Sequence, residues 1–99
     1  MEIILDGKKI KTKDELFIFF KDYFQDLYGN NLDALFDTLS YHKGKLIIKI
    51  INYQDLKNNL GDYVLKLENL FLDLKDINNE FKYEIVKKDW KSFSILFFN

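Results

Sequence analysis

The chain has 99 residues, 47% apolar, 17% aromatic and 31% charged, with a formal net charge of −1 at pH 7. That is the size and composition of one soluble globular domain spanning residues 1–99, not of a disordered tail or a pair of domains. Cysteine is absent and all fifteen basic residues are Lys. Disulfides and thiolate metal sites are thereby excluded, and nucleic-acid recognition, which favours Arg, is disfavoured.

The opening MEIILDGKK carries a short apolar run over residues 3–5 before charge sets in. A first strand is expected there, with a turn at Asp6-Gly7; a secretory leader or membrane span is not expected, and a cytoplasmic location is. Thr12 and Glu15 have capping-box spacing, and apolar residues at 16, 17, 19, 20, 23, 24 and 27 predict a helix over 13–27. Gly29, Asn30 and Asn31 end it, and Asn31 is placed to cap the next helix. Leu32, Leu35, Phe36 and Leu39 repeat at helical spacing and predict a short second helix over 32–40.

Residues 45–51 (KLIIKII) read as a central strand buried on both faces of a parallel sheet. A short helix or turn follows over 52–59. From Leu60 the helical spacing runs on to Ile77, residues 81–86 read as a third strand, and residues 90–98 as a last one. Strands alternating with helices imply an α/β fold with a small three-stranded parallel sheet, to which 90–98 would add an antiparallel edge.

Charge is unevenly distributed. Between Lys21 and Lys43 there is no cation, while Asp22, Asp26, Asp33 and Asp37 give that segment a formal −4 and leave the rest at +3. Asp33 and Asp37 are i, i+4 on the second helix, where like charges repel by about 0.2–0.5 kcal/mol. Asp33, in the first helical turn, is favoured by the helix dipole and needs no partner; Asp37, in the last turn, is disfavoured. By local physics alone Asp37 is either a tolerated surface acid or a residue whose use lies outside the fold.

The segment 28–40, YGNNLDALFDTLS, is similar to the Y-G-x-N-L-D-A-L-[WF]-D signature of the barstar family, matched without a gap from Tyr28 to Asp37. The looser resemblance covers roughly residues 1–87. It implies a barstar-like fold and a cytoplasmic, one-to-one inhibitor that blocks the active site of a barnase-type ribonuclease with helix two and the adjacent loops. By position, Asp37 then matches the main anchor acid, mimicking substrate phosphate among catalytic cations, and Asp33 a second contact acid. Tyr28, Asn31 and Phe36 match the family pattern at the same surface. Leu27 stands where a contact Tyr would be, Ser40 for a contact Thr, His42 for a contact Trp, and Asp73 for a peripheral acid on the long helix. Residues 90–99 extend past the usual chain end, and the net charge is milder than the family's usual acidity.

Without the resemblance, Phe36 reads as core, His42 as a loop residue open to solvent, and Asp73 as a solvating carboxylate. Asp33, Asp37, Asp73 and His42 offer metal-ligating atom types, yet the chain has no phosphate-binding glycine loop and no H-E-x-x-H spacing. The expectation is therefore a non-enzyme with no cofactor and no metal, monomeric when free. The alternative is an interaction module or antitoxin on the same fold, binding a different basic partner.

Overall fold

The computed structural model describes residues 1–87. Its elements follow the alternation of strand and helix: β1 (Glu2–Asp6), a 3-10 turn (Gly7–Lys9), α1 (Lys13–Tyr23), α2 (Leu32–Ser40), β2 (Leu46–Ile51), α3 (Tyr53–Leu60), α4 (Tyr63–Ile77) and β3 (Phe81–Ile85). The strands form one parallel sheet in the order β1-β2-β3. Ile3 lies beside Ile48 and Leu5 beside Ile50, while Leu46 pairs with Phe81. The expected α/β fold with a small three-stranded parallel sheet is thus present. The antiparallel edge strand expected over 90–98 lies outside the described residues.

Period-two burial gives the sheet its inner face. Ile3 and Leu5 of β1, Leu46, Ile48 and Ile50 of β2, and Phe81 of β3 are buried with Phe17 and Phe20 of α1, Leu35 and Leu39 of α2, and Val64, Leu67, Phe71 and Leu74 of α4. The expectation that β2 is buried on both faces is corrected: Ile47, Lys49 and Ile51 are half-buried. A continuous apolar run cannot reveal which alternate face lacks a covering layer. On that outer side Lys49 Nζ sits 3.6 Å from Glu2 Oε2, the ion pair present among the described residues.

The helix boundaries follow local chemistry. Thr12 Oγ1 accepts from the Glu15 N–H at 3.2 Å, and Glu15 Oε1 reaches back to the Lys11 N–H at 2.6 Å. This is a capping box whose return arm lands one residue earlier than the usual one. α1 stops at Tyr23, short of the expected residue 27: Phe24 is extended at φ −127° and accepts from the Leu27 N–H at 3.1 Å. Phe24 and Leu27 are nonetheless buried. Helical spacing records which side chains enter the core, and a non-helical turn brings these two in as well.

The long helix expected from Leu60 is two helices, parted at Gly61, whose φ of +61° favours a residue without Cβ. Tyr53 on α3 ties it to α4, its hydroxyl donating to Glu68 Oε2 at 2.5 Å. Where β1 and β2 end, Asn52 Nδ2 donates to Asp6 Oδ1 at 2.8 Å, which also accepts from the Lys8 N–H at 3.0 Å. Gly7 packs so closely here that a Cβ would come within 2.2 Å of the Asn52 carbonyl oxygen.

Candidate functional site

α2 is defined at its start by Asn31, whose Oδ1 accepts from the Ala34 N–H at 2.8 Å and occupies one of the donors a helix start leaves open. Asn31 therefore has a structural duty at the position expected to face a partner. The helix buries Leu35, Thr38 and Leu39 against the core, so that Asp33 and Asp37 emerge together on the opposite side. Asp22 and Asp26 are exposed as well. Among the described residues no ion pair involves Asp33 or Asp37. Lys21, the cation nearest in sequence on the N-terminal side, is hydrogen-bonded through Nζ to Asn30 Oδ1.

The acidic row is flanked by exposed aromatics. Tyr28 is 89% exposed just before α2, and Tyr41 is 77% exposed at its C-cap. Tyr41 was not among the expected contacts. Its signal is the spacing Asp33, Asp37, Tyr41, each one helical turn beyond the last. The Tyr41 N–H and the Ser40 hydroxyl both donate to the Asp37 carbonyl, at 3.2 and 2.8 Å, which closes the helix and fixes the backbone that carries Asp37.

Two expected residues change character. Leu27 is 3% exposed, so its side chain belongs to the core and is removed from the contact surface. The turn that ends α1 points it inward. His42 is half-buried, not open to solvent, with its imidazole edge-on to Phe24 at 5.9 Å between ring centroids. Burial of Phe24 outside a helix supplies that platform, which helical extrapolation to residue 27 concealed.

Asp33 and half-buried Phe36 line a groove of about 460 Å³ between α2 and α4, with Asp73, Lys66, Asn69 and Leu70 on the α4 side. Asp73, forty residues distant in sequence, thus stands at the same groove as Asp33. Lys66 and Asn69 were not expected there, although their spacing to Asp73 along α4 places all three on one side of that helix. Among the described residues no three His, Asp or Glu side chains are grouped to hold a metal, so Asp33, Asp37, Asp73 and His42 do not form such a set. No helix of the described residues is long and apolar enough to cross a membrane.

A three-stranded parallel sheet carrying four helices, one of which turns an acidic row outward, defines a small α/β protein whose distinctive chemistry lies on a helix surface. Residues 1–89 match the family model described as Barstar (barnase inhibitor), and the chain belongs to the barstar family. Proteins of this family are inhibitors of barnase-type ribonuclease and not enzymes. No curated protein matches the chain.

Proposed function

We propose that this protein inhibits a ribonuclease of the barnase type inside the cell, one to one, by seating α2 and its flanking residues in the enzyme's active site. The observation that carries the reading is the exposed Asp33–Asp37 row, without a cation partner among the described residues, on a chain of the barstar family. A ribonuclease active site concentrates cations to hold phosphate. A carboxylate held on a helix offers those cations charge-assisted hydrogen bonds with no scissile bond to cut. Asp37 is the anchor in this reading and Asp33 the second acid.

Tyr28 and Tyr41 supply rigid aromatic area on either side of the acids, while Phe36 and Asp73 extend the contact along the α2–α4 groove. Ser40 spends its hydroxyl hydrogen on the Asp37 carbonyl and keeps its oxygen lone pairs to accept from the enzyme. His42 and Asn31 border the same surface, the first resting on Phe24 and the second capping α2.

The test is titration of ribonuclease activity with wild-type protein and with Asp37→Ala, using a barnase-type enzyme from the same source. Stoichiometric loss of activity with the wild type and weakened inhibition by the variant, its circular dichroism unchanged, is the expected result. A wild type that leaves the nuclease fully active overturns the reading and moves the acidic row to a different basic partner.

A further inference from the structure

The groove between α2 and α4 is not uniformly acidic. Its α4 side runs from Lys66 through Asn69 to Asp73, and Asp33 borders it on the α2 side. Lys66 and Asp73 lie about two turns and roughly 10 Å apart along the helix axis, so that side is cationic at one end and anionic at the other. Lys66 is exposed and shares the groove with two carboxylates, yet among the described residues it forms an ion pair with neither. Asp62, the acid at i−4 that helical spacing would offer it, is not paired with it either.

Its place on the helix is unfavourable as well. α4 begins at Tyr63 and has no acid in its first turn, so Lys66 stands near the positive end of the helix dipole with nothing to offset it. Asp37 is the opposite case, a carboxylate in the last turn of α2. The two helices that border this surface thus each hold a charge of the sign their own dipole disfavours, and among the described residues neither charge has an ion-pair partner. A partner offering cations alone would suit Asp33, Asp37 and Asp73 but would meet Lys66 as a like charge, which a desolvated contact penalises. A partner that fits the whole surface opposes Lys66 with negative charge.

We propose that Lys66 is a specificity-determining residue of the inhibitory surface: it pairs with an Asp or Glu carboxylate on the nuclease segment that enters the α2–α4 groove, while cations of the same segment take Asp33 and Asp73. The inference rests on the inhibitor reading and adds to it which nuclease is accepted, one whose cationic active-site rim carries an acid at this point. An enzyme with a cation there is refused. The test is the kinetics of association and dissociation between a barnase-type enzyme from the same source and the wild type, Lys66→Met and Lys66→Glu, the variants matching the wild type in circular dichroism. Lys66→Glu makes the surface more acidic, so a bystander lysine would give faster association and equal or slower dissociation. The pairing gives the opposite in dissociation, about tenfold faster for Lys66→Met and roughly a hundredfold for Lys66→Glu. Lys66→Met keeps an apolar stem and removes the charge, so unchanged dissociation in that variant counts against the pairing by itself. Tight binding by the wild type, with dissociation unmoved or slowed in Lys66→Glu, overturns this proposal alone. A wild type that does not bind the nuclease overturns the inhibitor reading and this proposal with it.

Discussion

Asp6 and Asp37 are aspartates at the ends of regular elements, and the molecule uses them in opposite ways. Asp6 closes β1 and accepts hydrogen bonds from Asn52 Nδ2 and the Lys8 N–H. The Asn52 hydrogen bond foremost holds its carboxyl below the usual carboxylate range, against a smaller opposing effect of burial. Asp37 closes α2, where the helix dipole opposes it, and among the described residues its carboxylate has no hydrogen-bond or ion-pair partner. One carboxylate is consumed by the fold. The other is left for something outside it.

The largest effect expected from this contrast is at Asp37. Asp37→Ala should weaken nuclease inhibition by about 2–5 kcal/mol, the range for one member of a desolvated charge pair. Stability in urea should stay level or rise by a few tenths of a kcal/mol, because a like-charge pair is relieved. A variant that unfolds more readily than wild type would make Asp37 a residue of the fold after all.

The mirror image is Gly7→Ala beside Asp6. The new Cβ meets the Asn52 carbonyl oxygen at 2.2 Å and the Leu56 nitrogen at 2.8 Å, and backbone atoms yield little. A loss of about 1–3 kcal/mol in denaturant unfolding is expected, with stoichiometric inhibition retained wherever the variant is folded.

Tyr41→Ala sharpens the comparison within the site. Its side chain is 77% exposed and supports no core contact in the free protein, so stability should not move. Inhibition should weaken by about 1 kcal/mol, less than at Asp37, if aromatic area is its contribution. Unchanged inhibition would confine the contact to the acids and Tyr28.

The smallest effects are in pH dependence. Asp6 is depressed, so the stability it contributes is present above its unfolded value and is lost as pH falls through the folded one; Asn52→Ala should flatten that acid limb of a stability–pH curve. Tyr53 is the opposite case. Its hydroxyl is pushed up to about 12, foremost by the hydrogen bond to Glu68, with burial adding. Its contribution is therefore present below the ordinary tyrosine range and is lost as pH rises toward 12. Tyr53→Phe should remove that alkaline slope, and a slope that persists would have to come from other groups.

Much of this architecture was legible in the residues. The second helix occupies 32–40 as expected, because a four-residue apolar repeat, an Asn cap and a preceding Gly agree at every level. Errors fall where one pattern permits two backbones. Phe24 and Leu27 continue the helical period of α1 and are buried by a turn instead, which sets Phe24 beside His42; Leu27 stands at a contact position only by the family resemblance, and its burial corrects that. Gly61 interrupts a periodic run that continues on its far side. The half-open face of β2 was hidden because Ile and Val look alike in a covered and an uncovered strand position. At the site, the acids were visible from charge and spacing, whereas the groove joining Asp33 to Asp73 depends on how α2 meets α4, a tertiary fact no local pattern contains.

The paired acids on α2 also make ionic strength act twice. Dissolved ions shield Asp33 from Asp37 and so ease the folding of the free chain, while they blunt the long-range attraction that would guide a cationic enzyme toward the same helix. Added salt should therefore tighten the fold and slow the encounter through the same two carboxylates, so that recognition rests on a local frustration that ions soften and a counter-charged visitor relieves.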